Sequence, residues 1–182
     1  MDRWRILVVD DNQDTLDLIR MTLEEDYDVL TLAQAVETPD VLDIFEPDLA
    51  ILDVMMPKVS GFQLIEYMKK TPACKDIPVV FLTAKGAISD QKYGYTLGAS
   101  LYLTKPFQPS RLLKNIKLMF ESQGAQRKAK KYSMREVELR LSLLSSHAGT
   151  ADSSAQDSFP KPPQPRSGGA KDQEPGTEPW IG

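Results

Sequence analysis

Five short, largely apolar runs recur between residues 6 and 103, and nothing else in the chain constrains its fold as tightly. They are Ile6-Leu7-Val8-Val9, Val29-Leu30-Thr31-Leu32, Leu49-Ala50-Ile51-Leu52, Pro78-Val79-Val80-Phe81-Leu82 and Leu101-Tyr102-Leu103. A run that is apolar at every position, rather than at alternate ones, suits a strand buried on both faces, as in a parallel sheet. The stretches between the runs carry a helical period. Leu16, Ile19 and Leu23 predict a helix from about 13 to 25, with Asp11 or Asn12 able to cap it. Thr38-Pro39-Asp40 starts a second, with Pro39 at the first helical position where no N–H is missed, and it stops before Pro47. Gly61 opens a third, carrying Leu64, Ile65 and Met68. A weaker helix runs to about Leu97, and Leu112, Leu113, Ile116, Met119 and Phe120 line one face of a last one. Strands alternating with helices imply an α/β fold: a doubly wound, five-stranded parallel sheet covered on both sides.

At 182 residues the chain has room for one domain and an appendage. Residues 1–122 carry 13 Lys/Arg against 19 Asp/Glu, whereas 123–147 carry 6 against 2. An acidic body argues against nucleic acid as the ligand of the folded part and leaves the basic stretch open. Cys74 is the only cysteine, so no intrachain disulfide can form. Met1-Asp2-Arg3-Trp4-Arg5 does not resemble a signal peptide, and no run reaches the roughly 18 apolar residues of a membrane span. The expectation is a cytoplasmic protein without membrane insertion.

Beyond the last strand–helix unit, residues 123–132 read as a basic linker. Ser133 and Glu136 form a capping box, with Tyr132 and Val137 spaced as a hydrophobic staple. A short amphipathic helix over 133–147 follows, with Met134, Val137, Leu141 and Leu144 on one side. A one-sided helix of this length is marginal alone, so it should pack on the domain, a second copy or a partner. From 148 to 182 the composition turns to Ser, Pro, Gly, Gln and Asp, with Pro160, Pro162, Pro163 and Pro165 close together; this reads as a disordered tail with local polyproline II at most. His147 is a lone histidine to which no metal is assigned, Cys74 has no assigned role, and Trp180 reads as incidental, with a short docking anchor as the alternative.

In doubly wound sheets the site lies beyond the carboxyl ends of the strands. Applied here, that rule gathers Asp10 and Asp11, Asp53, Thr83 and Lys105. Carboxylates in one cleft raise one another's pKa unless a cation sits among them. A hard divalent ion, Mg²⁺ by preference, resolves the conflict and keeps open positions for water and a phosphoryl oxygen. An aspartate beside it can attack phosphorus and become an acyl phosphate, while Lys105 offsets charge on the transferring group.

Together these segments resemble a known family. Asp10-Asp11, then Asp53-Val54-Met55-Met56-Pro57 with Gly61, then Leu82-Thr83-Ala84, then Gly98-Ala99 and Tyr102-Leu103-Thr104-Lys105-Pro106-Phe107 are similar to the signature of bacterial two-component response-regulator receiver domains, over about residues 4–122. The resemblance implies the flavodoxin-like (βα)5 receiver fold over 1–122, and it implies roles. Asp53 would be the phosphoacceptor. Asp11, Asp53 and the backbone carbonyl of Met55 would ligate Mg²⁺ directly, with Asp10 acting through water. Lys105 and the Ala84 backbone would contact the phosphoryl group. Thr83 would donate its hydroxyl to that group, and Tyr102 would turn into the space Thr83 vacates, altering the face of helix four, strand five and helix five. A cis peptide before Pro106 belongs to the same pattern. The implied function is a phosphoacceptor switch rather than an enzyme in the ordinary sense, phosphorylated by a sensor histidine kinase. It would signal by contact with a downstream protein, or through a phosphorylation-dependent homodimer. One departure is visible: Glu37-Thr38-Pro39-Asp40 begins helix two where the family often has a Gly-rich turn.

Rival chemistries on this architecture fare less well. A flavin protein wants a Ser/Thr/Gly-rich phosphate loop after strand one, where this chain has acids. The Gly-Lys-Ser/Thr of a P-loop is absent, and an aspartyl phosphatase carries a second aspartate where Met55 stands. Two other outputs remain: a minimal DNA-binding regulator using the basic 127–140 stretch, and a phosphorelay intermediate that hands the group to a histidine.

Overall fold

The computed structural model describes residues 3–84, 88–122, 129–147 and Phe159. Five parallel strands form one sheet: β1 (Arg5–Val9), β2 (Asp28–Leu32), β3 (Leu49–Asp53), β4 (Val79–Ala84) and β5 (Leu101–Lys105). They alternate with α1 (Gln13–Leu23), α2 (Thr38–Phe45), α3 (Gly61–Lys70), α4 (Ile88–Thr96) and α5 (Pro109–Ser122). The sheet order is β2-β1-β3-β4-β5, so the winding reverses between β1 and β3, where such sheets open a crevice. Register carries that crevice across the sheet: Val9 is level with Leu52, Asp53 with Leu82, and Ala84 with Lys105. The doubly buried strands divide their side chains between two cores. Leu7, Leu52 and Phe81 pack with Phe45 and Leu64 on one side, and Ile6, Ile51 and Leu82 with Ile19, Leu112 and Ile116 on the other. Each fully buried side chain of this size contributes about 1.5–3 kcal/mol.

Asn12, not Asp11, caps α1: its side chain accepts from the Thr15 N–H at 2.8 Å, which leaves Asp11 exposed. Ser60 and Gln63 form a reciprocal capping box at the start of α3. Helix α2 begins differently from the sequence expectation. A 3-10 turn, Ala35–Glu37, leads straight into Thr38 as the first helical residue, so Pro39 comes second. The chain is already coiled when it enters the helix, and no capping hydroxyl is used. Thr38 is instead fully buried, and its Oγ1 has no hydrogen-bond partner among the described residues. Burying a hydroxyl unsatisfied costs about 1–3 kcal/mol. Thr38→Val, which keeps the shape and removes the polar atom, is expected to stabilise the protein by about 1 kcal/mol, read as a rise in thermal midpoint by calorimetry.

Of the segment read as a linker, residues 129–132 are described; of the segment read as a disordered tail, only Phe159 is. The polar clamp formed by 129–132 begins at Arg5, a charged residue only 3% exposed. Its guanidinium donates to the Phe45 carbonyl at 2.9 Å and the Tyr132 carbonyl at 2.5 Å. Lys130 donates to the Glu46 carbonyl and to Asp48, and the Lys131 N–H donates to the Glu46 carboxylate. Two lysines thus meet the negative end of α2, where cations are favoured. Glu46 itself takes a left-handed conformation (φ 49) usually left to glycine. Helix α6 (Met134–His147) then packs against α2, with Val137 1% exposed and Tyr132, Met134 and Leu141 joining the same core. Arg140 lies over the Tyr132 ring, 3.9 Å from its centroid.

Candidate functional site

Two carboxylates are buried at the crevice and share one ammonium. Asp10 is 0% exposed and Asp53 4%. The Lys105 Nζ donates to Asp10 Oδ2 at 2.6 Å and to Asp53 Oδ1 at 2.7 Å. The remaining oxygens are held by the backbone: Asn12 N–H donates to Asp10 Oδ1 at 3.0 Å, and Met55 N–H to Asp53 Oδ2 at 2.9 Å. Parallel register brings this about, because it sets the ends of β1, β3 and β5 at one edge although Lys105 is 95 residues from Asp10 in sequence. The Lys105–Pro106 peptide is cis.

The electrostatics follow from two anions and one cation. Burial pushes the Asp53 carboxyl above its ordinary value near 3.8; the Lys105 bond and charge and the Met55 N–H pull it down without cancelling that, and the Asp10 charge adds to the rise. Burial acts on Lys105 to lower it, but the hydrogen bonds it donates to two carboxylates, with their charges, leave it above its usual 10.5. An isolated ion pair would lower its acid and raise its base. Here both rise, because burial outweighs the single lysine at Asp53 while Lys105 gains two carboxylate partners. The consequence is testable. In the metal-free protein the Asp53 carboxyl should therefore protonate at a pH above that of an ordinary aspartate. Carboxyl chemical shifts followed against pH, with circular dichroism to confirm the fold at each point, measure the midpoint.

Thr83, 2% exposed, follows Leu82, the residue level with Asp53 across the β3–β4 pair. Ala84 is level with Lys105. Asp11 is at the mouth beside a cleft of about 210 Å³ also bordered by Ala35, Met56 and Lys58. Among the described residues no three Asp, Glu, His or Cys side chains already stand together as a metal site: Lys105 lies between Asp10 and Asp53, and Asp11 is exposed. The donor set nevertheless suits a hard divalent cation, since two buried carboxylates share one ammonium, a third, Asp11, is exposed nearby in sequence, and every candidate ligand is oxygen.

The Tyr102 ring packs against Phe81 and Tyr95, with centroids 5.2 and 4.9 Å away. Its hydroxyl rests on α4 at Gly94, where a Cβ would lie 1.3 Å from the phenol oxygen. Sequence reasoning passed over Gly94. The available signal was a glycine inside a helix, which costs about 1 kcal/mol relative to alanine and so needs a packing reason.

Residues 6–117 match the family described as the response regulator receiver domain. Among curated relatives, the DNA-binding dual master transcriptional regulator RpaA of Synechocystis sp. is 35% identical over 130 residues, covering 71% of this chain and 54% of that protein. The response regulator SaeR of Staphylococcus aureus is 39% identical over 112 residues, covering 61% and 48%. The chain thus spans about half the length of these relatives. Among solved structures, the chemotaxis protein CheY4 of Vibrio cholerae is 29% identical with a TM-score of 0.61, over 64% of this chain and 98% of that one. A response regulator from Chloroflexus aurantiacus is 30% identical with a TM-score of 0.63, over 66% and 99%.

Proposed function

The chain belongs to the response regulator receiver domain family of two-component signalling, and on that footing we propose that it is a phosphoacceptor switch charged on Asp53 by a sensor histidine kinase. The buried Asp10–Lys105–Asp53 arrangement carries this reading. A carboxylate oxygen of Asp53 attacks the phosphorus of a phosphohistidine; the new O–P bond forms as the P–N bond breaks, and the imidazole leaves with the electron pair and takes up a proton. Lys105 already donates to Asp53 and offsets charge on the phosphoryl oxygens, with the Ala84 backbone beside it. Asp10, Asp11, Asp53 and the Met55 carbonyl would hold Mg²⁺, which supplies further neutralisation of phosphoryl charge when bound. Thr83 donates its hydroxyl to the phosphoryl group, and Tyr102 moves in response. The output is contact with a downstream protein through the α4-β5-α5 face, where Tyr95 is 52% and Leu118 51% exposed. In this reading residues 1–122 are the receiver, 123–132 the linker, 133–147 an appended helix and 148–182 a tail. Phosphoryl transfer from a phosphorylated histidine kinase to this chain, followed by intact mass, tests the chemistry. Failure of both kinase and small-molecule donors to label it would overturn it.

One observation favours a second output. The relative from Synechocystis is described as DNA-binding, and the 127–140 stretch here is basic. Against it, Lys130 and Lys131 are engaged with Asp48 and Asp43, so much of that charge is offset within the fold. A salt-sensitive mobility shift of duplex DNA at low ionic strength would favour the DNA reading, and its absence would leave protein contact.

A further inference from the structure

At the end of the sheet opposite Asp53, a cleft of about 250 Å³ opens between α2, α3 and the 129–131 segment. Trp4, Tyr67, Pro39, Pro47 and Pro78 give its walls aromatic and proline surface. Its charge is unbalanced, with Asp43, Glu46, Asp48 and Asp76 against Lys130 and Lys131. The volume falls below the roughly 300–1,000 Å³ of small-molecule sites, so an extended chain resting across it fits better than an enclosed ligand.

Phe159 shows which chain is at hand. It is 6% exposed, and its ring packs on Tyr67, a residue of the cleft wall, at 5.4 Å between centroids. The residues that follow it are Pro160-Lys161-Pro162-Pro163-Gln164-Pro165-Arg166, outside the described part of the structure. Proline fixes φ near the polyproline II value, so such a segment loses little entropy on docking and suits an aromatic-lined groove. Lys161 and Arg166 bring two positive charges to walls that carry two more carboxylates than ammoniums. The geometry points to residues 160–166 of this same chain as the occupant of the α2–α3 cleft, entered from the Phe159 anchor. This inference is independent of the chemistry at Asp53.

Cys74 lines the cleft, is the only cysteine and is 5% exposed, so the rate at which its thiol is alkylated reports how often the cleft opens to reagent. The experiment compares the full-length chain with a full-length variant in which Pro160, Pro162, Pro163 and Pro165 become Ser and Lys161 and Arg166 become Glu. The rate of Cys74 alkylation by iodoacetamide is read with amide NMR shifts of Tyr67, Thr71 and Ile77. Docking predicts alkylation several-fold faster in the variant and shifts confined to the cleft, with unchanged circular dichroism. Equal rates and superimposable spectra would overturn it. So would binding of a synthetic 159–168 peptide to the wild type as tight as to the variant, because that would mean the cleft stands open to a separate partner.

Discussion

Asp53→Asn should take up no phosphoryl group from acetyl phosphate under conditions where the wild-type chain gains one, a fall of at least about a thousandfold, as expected when a nucleophile is removed. Chelation of divalent ions with EDTA should suppress the wild-type gain, and intact mass reads both results. The loss will not come from unfolding. Asp53 has a raised pKa in the folded protein, and the sign of its effect on stability follows. A carboxyl whose folded pKa lies above its unfolded value adds no penalty at pH below the unfolded value. Its penalty is fully present once the pH exceeds the folded value. At neutral pH the uncharged Asn removes that penalty and leaves Lys105 paired to Asp10, so the thermal midpoint should hold or rise. Phosphoryl uptake by a well-folded Asp53→Asn protein would refute Asp53 as acceptor.

Gly61→Ala should lower stability by about 3 kcal/mol, the upper part of the range for overpacking a tight site. In a domain of this size that is a fall of about 10 °C in the thermal midpoint. A Cβ at Gly61 would lie 2.2 Å from the Asp53 backbone oxygen and 3.0 Å from a Phe81 ring carbon. Neither neighbour yields easily: the oxygen belongs to the end of β3, and the Gly61 N–H already donates to the Val54 carbonyl at 3.2 Å. Relief requires moving the start of α3 or the residue that carries the carboxylate. Uptake at Asp53 should therefore slow together with the loss of stability. A melting midpoint within a degree of wild type would show that the approach of α3 to β3 is looser than the structure has it.

These two positions differ in how far the sequence announces them. Asp53 closes an apolar strand, and the rule placing sites at the carboxyl edge of a doubly wound sheet nominates it without coordinates. Gly61 announces only a helix start. Its contact with the Asp53 carbonyl depends on how deeply α3 settles against β3, which no local pattern encodes. The same holds for Arg5, whose charge reads as a surface residue until Phe45 and Tyr132 close over it, and for Gly94 beneath Tyr102. Thr38 reads as a helix start and proves to be an unsatisfied buried hydroxyl, because the preceding 3-10 turn shifted the helix by one residue.

The sequence by itself determined the class of sheet, the alternation of strands and helices, and the acids, hydroxyl and lysine at the strand ends, since burial on two faces and helical period are written in neighbouring residues. Only the tertiary structure decided the strand order, the single ammonium shared by Asp10 and Asp53, the exposed position of Asp11, and the packing of α6 on α2. Those depend on residues tens of positions apart meeting at angström distances, and such meetings are set by the packing of the whole chain rather than by any segment of it.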